Sequence, residues 1–491
     1  MAQDFIGPGG RGPSLVQLAL PLLILLPLAL AFGWFLPHLS PTRAMAFGGG
    51  LALLAVCLFS TRAALLIVVF SMLLGPEFNV GGLSAQGTLG RGVTLRINDF
   101  VLLVVGFGWL AKMAIDKRLG LFLRTPLNMP IALYTLVCVL SSALGTVMDR
   151  VVIKSTFFYV LKYFEYMFVY FMVVNHLRTR RDMELFLWAL LATCVAASLV
   201  GIAQIPGGGR ITAPFEGDQG EPNTFGGYLV FMVALASGLL ANTASLRRRL
   251  GLGLVIVLAL APLLHTGSRG SYLGLVGAMG MLVLLTRRKA LALGVAALGL
   301  FAVLLLAPDI ARERVEFTFE QGKARADVEE VMGVKLDTSS SERIKSWKDV
   351  AVDVLEHPIL GYGVTGYKFI DGQYFRVVIE TGLVGLALFA FLLVRAWVVA
   401  QGVFSRARDE LERGLCMGFL AGFAGLLVHA LSANTFIIGR IMEPFWFVLG
   451  MVVMIPRLVD ARGRRLWAAA PEPAPVSAPD AGPAPGPAPR G

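Results

Sequence analysis

The sequence predicts an all-α polytopic membrane protein, with about 12–14 transmembrane helices and one large external loop domain between the eleventh and twelfth spans. Hydrophobic residues make up 56% of the 491-residue chain and charged residues only 15%, with a mean hydropathy of +0.73. Soluble domains have about 25% charged residues. Apolar runs recur from Leu15 to Ile455, and about 17–25 apolar residues are enough to cross a bilayer core. Lys and Arg gather in short clusters between these runs, as they do in cytoplasmic loops.

Fourteen apolar segments are candidate spans. The second and third are short, and a re-entrant hairpin there would leave twelve full spans. In chain order the segments lie near 14–36, 44–60, 62–75, 98–116, 127–147, 155–176, 183–205, 223–242, 249–265, 269–286, 289–307, 373–400, 412–433 and 437–456.

The basic clusters predict one orientation. If the spans alternate, all six clusters lie on the same side, which the positive-inside rule makes cytoplasmic. Since the net charge of +11 is distributed over these clusters, it argues against nucleic-acid binding. The clusters are Lys117, Arg118 and Arg124; Arg178, Arg180 and Arg181; Arg247, Arg248 and Arg249; Arg287, Arg288 and Lys289; Arg406, Arg408 and Arg413; and Arg457, Arg462, Arg464 and Arg465.

This orientation divides the chain into five parts. Residues 1–13 form a cytoplasmic N-terminus, and residues 14–307 form the N-terminal part of the transmembrane bundle. Residues 308–372 form the external (periplasmic) loop domain. Residues 373–456 complete the bundle, and residues 457–491 are a cytoplasmic tail rich in Pro and Ala.

The external loop contains one predicted helix. Ser341 can cap a helix through "ERIKSWKDVAVDVLEH", and Pro358 would stop it. Such an amphipathic helix would lie on the membrane surface or pack over the bundle. Its apolar face would consist of Ile344, Trp347, Ala351, Val354 and Leu355.

Three arginines are predicted to converge on the external face: Arg210, Arg269 and Arg343. A guanidinium group binds phosphate oxygens with two parallel hydrogen bonds, so together these side chains would suit a lipid diphosphate. Small residues beside Arg269 are expected to leave the backbone open to a bulky headgroup. They are Gly267, Ser268, Gly270 and Ser271.

Other charges in or near the spans are expected to be structural. Asp99 is expected to cap a helix, and His357 to pack in the loop beside Pro358. Residues three or four positions apart on a helix can form ion pairs. The pairs expected on this basis are Arg376 with Glu380, Lys162 with Glu165, and Arg440 with Glu443.

The sequence predicts no cofactor and no metal site. It has no P-loop, no GxGxxG after a strand, no HExxH and no paired aspartates of the DxD type. The four cysteines all fall in apolar segments, where a free Cys usually behaves as a small hydrophobe. They are Cys57, Cys138, Cys194 and Cys416.

Several motifs follow one another in an order that resembles the O-antigen ligase and polymerase family of bacterial envelope glycan assembly. The resemblance covers roughly residues 160–453. Its most specific parts are the Ser-Arg-Gly step, the "EHPILGYG" loop and the "ETGLVG" helix. In order, the motifs are "GIAQ", "EPNTFGGYL", "TGSRGSYLGL", "SERIKSWKDVAVDVLEHPILGYGVTGY" and "DGQYFRVVIETGLVGLALF".

The resemblance implies a membrane glycosyltransferase of the all-helical type. The donor would be a glycan on undecaprenyl diphosphate, and the acceptor a hydroxyl of a lipid-linked glycan, at the periplasmic face of the bacterial inner (cytoplasmic) membrane. Membrane lipid, a chain-length regulator and a flippase are the other implied partners. Arg210 and Arg269, with Arg343, would bind the diphosphate. Asp371 stands where ligases of this family usually carry a histidine, which favours the polymerase branch.

The identity of the catalytic base stays open at this stage. Asp371 can accept a proton from the acceptor hydroxyl, orient the sugar, or pair with Arg376; Glu380 is the alternative base. Asn223, Arg376 and His357 are candidates for structural or substrate-lining residues. Two other functions also stay open: a ligase that transfers glycan to lipid A core or to a protein hydroxyl, and a transporter or lipid-linked glycan flippase.

Overall fold

The computed structural model describes residues 15–38, 40–79, 94–115, 123–216, 220–286, 330–331, 334–335 and 338–459. Over these ranges the fold is an all-α bundle, as predicted. Its helices are α1 (Leu15–Phe35), α2 (Pro41–Phe59), α3 (Thr61–Leu74), α4 (Ile97–Ile115), α5 (Asn128–Val147), α6 (Ile153–His176), α7 (Arg180–Gln204), α8 (Pro222–Asn242), α9 (Leu246–His265), α10 (Arg269–Leu285), α11 (Thr338–Asp353), α12 (Gln373–Arg406), α13 (Glu410–His429) and α14 (Gly439–Met454).

Strands are a minor component of the described chain. β1 (Glu77–Asn79) pairs antiparallel with β2 (Thr94–Arg96), and β3 (Glu330–Val331) pairs antiparallel with β4 (Val334–Lys335). Both are short ribbons in connections between helices. The helical bundle is therefore the only layer of the described fold.

Most of the candidate spans are found as helices. Within the described ranges, eight helices are long and apolar enough to cross a membrane: α5–α9 and α12–α14. The apolar stretches of α1–α4 and α10 are shorter. The short second and third segments form separate helices that meet at Ser60. The predicted span at 289–307 lies outside the described residues.

Helices α8, α13 and α14 form the centre of the bundle and are the most buried of the eight. α8 and α13 cross at glycines: a Cβ on Gly418 would lie 2.6 Å from the carbonyl oxygen of Leu235, and Gly238 packs directly against Gly418. Small residues let helix backbones approach closely in a membrane, where dispersion and weak polar contacts drive association. The crossing therefore depends on glycine at both positions.

The connections that carry basic clusters meet at one end of the bundle, called here the basic end. Arg180 forms an ion pair with Asp409 at 2.8 Å, and Glu410 accepts a hydrogen bond from the backbone of Ala244 at 3.0 Å, next to the 247–249 cluster. Arg457 donates to the carbonyl of Arg124. Five of the six predicted clusters thus have described members at this end, and the cluster at 287–289 lies outside the described residues.

Two predicted intramembrane pairs are wrong. Lys162 binds Asp99 at 3.0 Å instead of Glu165. Asp99 also accepts a hydrogen bond from the backbone of Arg96, as expected of a helix cap, and the Arg96 side chain pairs with Glu443. A partner on another helix can replace a near neighbour because facing helices bring distant residues within reach.

Arg440, predicted to pair with Glu443, binds a different set of groups. Its guanidinium forms an ion pair with Glu216 at 3.4 Å, with both side chains almost fully buried. It also donates hydrogen bonds to three backbone carbonyls, at distances of 2.7 to 3.3 Å. These belong to Leu73, Pro214 and Gly75. Arg440 therefore fixes the segment between α7 and α8, which carries Arg210, to the end of α3 and the start of α14.

Candidate functional site

The start of α10 is bonded to the start of α8. Ser268, the N-cap residue of α10, donates a hydrogen bond to the Asn223 side-chain oxygen at 2.7 Å. The same hydroxyl accepts the backbone N–H of Ser271 at 3.2 Å, which satisfies one of the open donors of the first helical turn. Arg269 follows as the first residue of α10 and is partly buried. Two predicted site residues, Asn223 and Arg269, therefore flank one N-cap.

Arg210 lies against the same turn. Its Nε donates to the carbonyl of Thr266 at 3.0 Å and its Nη2 to the carbonyl of Gly267 at 3.3 Å. The Arg210 side chain is otherwise exposed. The Arg210 guanidinium is thus bound to the turn that leads into α10, whose first residue is Arg269. Arginine side chains and a helix N-terminus both favour a bound anion. The structure therefore brings Arg210 to the turn just before Arg269.

The small residues around Arg269 do not leave the backbone open, contrary to expectation. Gly270 packs directly against the Ser432 hydroxyl, and Ser271 against Gly226 of α8. Ser268 is 1% exposed and Ser271 is fully buried. Their size instead lets α8, α10 and α13 meet closely at this end, so an anion can reach only the arginine side chains and the edge of the turn.

The turn after α13, residues 430–434, joins α10 to α12. On one side Ser432 contacts Gly270. On the other side the carbonyl of Ala430 accepts a hydrogen bond from the backbone of Gln373, the first residue of α12, at 2.9 Å. We call this segment the tie turn. The end of the bundle where it lies, where α8, α10 and α12 begin, is called the site end.

Sequence reasoning missed the tie turn because most of it was included in the predicted span at 412–433. Fully buried His429 hydrogen-bonds the Thr435 hydroxyl at 2.8 Å. Asn434 donates to the carbonyl of Ile370, next to Asp371, at 2.8 Å. Polar residues inside an apolar stretch are costly unless they bond to something, and "HALSANT" contains four of them in seven positions. This density of polar residues was the sequence signal that could have indicated the tie turn.

Asp371 lies across the tie turn from Arg269. Its carboxylate accepts two contacts from Arg343 at 3.1 Å. Its backbone carbonyl accepts the indole N–H of Trp347 at 2.8 Å. Both Arg343 and Trp347 belong to α11, one turn apart. The third predicted arginine is thus held by a carboxylate, and the Asp371–Arg343 pair stays about one-quarter exposed.

Arg376 and Glu380 form the expected ion pair, at 3.0 Å and almost fully buried. Glu380 also accepts the backbone N–H of Thr365 at 3.2 Å. The Arg376 guanidinium stacks over the ring of Tyr159, 5.6 Å from its centre. These contacts make both residues part of the scaffold below Asp371. Burial and pairing leave Glu380 poorly placed to take a proton from a bound sugar.

His357 lies away from the tie turn. Its ring packs edge-on against Tyr362 at 4.7 Å, and the Tyr362 hydroxyl donates to Glu356 at 2.6 Å. Partial burial and this hydrogen bond raise the pKa of Tyr362 to about 12. The structure therefore places His357 in loop packing, as expected.

Helix α11 differs from its prediction in bounds and in phase. It begins at Thr338 and ends at Asp353, five residues before Pro358. Val350 is the buried position, together with Ile370 and Ile379, and Trp347 packs against this cluster. Predicted face residues Ala351 and Leu355 are exposed. One residue of phase is enough to exchange buried and exposed positions because successive residues on a helix point 100° apart.

The "EHPILGYG" and "ETGLVG" motifs hydrogen-bond to each other. α12 is interrupted at Gly382, which has φ 68° and ψ −172°. The backbone groups freed there bond to the preceding loop, with Leu383 N–H donating to Pro358 and Tyr362 N–H donating to Ile379, at 2.8 and 2.9 Å. A Cβ on Gly382 would collide with the carbonyl of Ile359, so glycine is required for this junction.

Among the described residues, no group of His, Cys, Asp and Glu side chains is arranged to hold a metal ion. The polar groups of the site end are instead two guanidinium groups, the N-terminus of α10 and a carboxylate held by Arg343. Such a set can bind an anion on one side of the tie turn and a hydroxyl on the other.

Residues 254–390 match a family model described as O-antigen ligase. The match covers just over a quarter of the chain and includes Arg269, Arg343 and Asp371. It begins after Arg210 and Asn223. A search of curated proteins found no match for the chain.

Proposed function

We propose that this protein, whose residues 254–390 match a family model described as O-antigen ligase, polymerises lipid-linked polysaccharide repeat units. The family and the apolar helices indicate a membrane glycosyltransferase. The donor we propose is glycan on undecaprenyl diphosphate. The acceptor is a sugar hydroxyl on a second lipid-linked unit, and the product is exopolysaccharide, capsule or O-antigen. The site end then faces the periplasm from the bacterial cytoplasmic membrane, since the basic end would be cytoplasmic.

The observation that carries this proposal is the placement of Arg210 beside the first residue of α10, Arg269. Arg210 is anchored by the carbonyls of Thr266 and Gly267. A departing diphosphate gains negative charge as the glycosidic bond breaks, and fixed cations at that position stabilise the transition state. No metal is required in this scheme, because the two guanidinium groups and the helix dipole supply the positive charge.

Asp371 is the group we assign to the acceptor. A carboxylate can take the proton of the attacking hydroxyl as the new bond to the anomeric carbon forms. Pairing with Arg343 orients the Asp371 carboxylate, and partial exposure leaves it accessible. Attack from the side opposite the diphosphate would invert the anomeric centre. The tie turn, with Arg269 on one side and Asp371 on the other, supports this division of roles.

The experiment is a comparison of Arg269→Ala with Arg247→Ala, in cells that lack the native protein. Arg247, at the basic end, is the control for loss of one arginine away from the site end. We expect Arg269→Ala to abolish long polymer and Arg247→Ala to leave it intact, at equal membrane levels. Polymer of normal length and amount from Arg269→Ala would refute the assignment of Arg269.

Ligation is the second candidate function, because the matching family model is described as an O-antigen ligase. The chemistry at the diphosphate would be the same, and only the acceptor would be lipid A core or a protein hydroxyl. Deletion distinguishes the two: loss of a polymerase leaves single repeat units, whereas loss of a ligase leaves long glycan on the lipid carrier. Asp371, in place of the histidine usual in ligases, favours polymerisation. A flippase and a chain-length regulator would be its partners.

A further inference from the structure

A second feature of the site end is an aromatic pair directly beside Asp371. The rings of Trp347 and Phe375 are stacked, with centres 4.7 Å apart and planes inclined by 7°. Trp347 belongs to α11 and Phe375 to the first turn of α12, so the stack joins the two helices. Both side chains are only partly buried. Phe375 covers one face of the indole, Trp347 also packs against the cluster of Val350, Ile370 and Ile379, and the residue remains partly exposed.

The orientation of this indole is fixed by its own hydrogen bond. Trp347 Nε1 donates to the backbone carbonyl of Asp371 at 2.8 Å, and Gly372 leaves room for the ring: a Cβ there would lie 3.1 Å from Nε1. Gly372 has φ 108°, which a residue with a side chain rarely adopts. The backbone at 371–372 is therefore shaped around the indole.

Polar groups that suit a sugar lie next to the stack. The Asp371 carboxylate offers acceptors and the Arg343 guanidinium offers donors, and both are partly exposed. Sugars present a face of C–H groups that packs on an aromatic ring and a rim of hydroxyls that hydrogen-bond to charged groups. A buried aromatic needed only for packing would not require an exposed ion pair at its edge. Ligand sites typically combine aromatic surface with a few placed polar groups that fix the orientation of the ligand.

We propose that Trp347, backed by Phe375, is the platform of a monosaccharide-binding subsite, with Asp371 and Arg343 hydrogen-bonding the hydroxyls of the bound sugar. The occupant is the terminal sugar of the acceptor glycan, an assignment that rests on the proposed function. Sugar binding at Trp347 does not rest on it. The platform would position the acceptor hydroxyl over Asp371, so Trp347 is a positioning residue and not a catalytic one.

Direct binding of simple sugars tests the subsite without any transfer reaction. The protein is reconstituted in lipid nanodiscs free of sugar-based detergent, and saturation-transfer difference NMR measures binding of four methyl glycosides. They are methyl β-glucoside, methyl β-galactoside, methyl α-mannoside and the methyl glycoside of N-acetylglucosamine. We compare Trp347→Ala, Trp347→Phe and the matched control Trp188→Ala, whose indole lies near the basic end and is 40% exposed.

At least one glycoside is expected to bind the wild type. Trp347→Ala should weaken it by at least about fivefold, because the stacking surface is lost. Trp347→Phe, which keeps a flat ring, should bind within about twofold of wild type, as should Trp188→Ala. Absence of binding to the wild type, or equal binding to Trp347→Ala, would overturn the proposal and leave the indole as a membrane-interface anchor.

Transfer kinetics then separate the subsite from the proposed function. In a reaction with purified lipid-linked repeat units, Trp347→Ala should raise KM for the acceptor and leave KM for the donor unchanged. If no transfer is found but the glycoside binds as described, the proposed function fails and the subsite stands. If Trp347→Ala raises KM for the donor alone, the acceptor assignment is wrong.

Discussion

Replacing Arg440 by Met tests whether one buried side chain holds the Arg210 segment in place. The guanidinium binds Glu216 and three backbone carbonyls, and its side chain is 2% exposed. Removing one member of a buried ion pair costs about 3–5 kcal/mol, because the other charge stays buried without a partner. The three carbonyls lose a charged donor as well. Since such losses are not additive, we take about 3–5 kcal/mol as the expected total.

The expected change in melting temperature follows from the size of the chain. An unfolding entropy of about 2.1 cal/mol/K per residue, taken over 491 residues, gives roughly 1 kcal/mol per degree. Arg440→Met should therefore melt about 3–5 °C below wild type. Thermal unfolding of the purified protein, followed by intrinsic fluorescence, measures this. Polymer formation should fall too, because Arg210 loses its fixed position.

A double substitution separates the effect of losing the Arg440–Glu216 ion pair from the effect of changing the shape of the side chain at position 440. Glu216→Gln keeps the acceptor that bonds the backbone of Glu221 but removes the charge. The double variant Arg440→Met/Glu216→Gln should melt above Arg440→Met alone, since no carboxylate is left buried and unpaired. If Arg440→Met melts within 1 °C of wild type, or if the two substitutions are simply additive, Arg440 does not act through Glu216 and the reasoning fails.

Three further predictions concern the site and the core. Asp371→Asn should lower the transfer rate by about 10²–10⁴-fold, as expected for loss of a general base, with unchanged melting temperature; a rate within twofold of wild type excludes Asp371 as the base. Glu380→Gln should lower the melting temperature by several degrees, because Arg376 is left buried without its ion-pair partner; a variant as stable as wild type contradicts the structural role of the pair. Gly418→Leu should abolish a monodisperse peak in size-exclusion chromatography, because its side chain meets the backbone of α8. Gly253→Leu on α9, with open space at its Cβ position, is the control.

The placement of the helices could be predicted because it depends on local quantities. The length of an apolar run and the position of basic clusters determine where a helix crosses and which ends share a side. The predicted bounds agree to within a few residues for most spans. The predicted span at 412–433 extends four residues past the end of α13, because it includes most of the tie turn, and the span at 373–400 stops six residues before the end of α12.

Pairing between helices could not be predicted from one sequence. Lys162 with Glu165 and Arg440 with Glu443 were expected because i, i+3 neighbours can always touch. The structure instead joins Arg96 to Glu443, 347 positions apart. Arg210 and Arg269 were expected to share one face, and the structure brings Arg210 and Asn223 to the turn and the N-cap that precede Arg269. The role of the tie turn depends on a contact between α10 and α13 that no local pattern indicates.

The junction at Gly382 has a mechanical consequence. The loop at 358–363 supplies hydrogen-bonding partners that the interrupted helix α12 would otherwise lack, so lifting the loop exposes broken-helix backbone within the bundle. Each such bond contributes about 0.5–1.5 kcal/mol net, and more where water cannot replace it. We therefore expect the segment that leads from this loop to Asp371 to be rigid. A lipid-linked substrate would then enter laterally between helices. The rigid segment would limit how far its first sugar can enter the site.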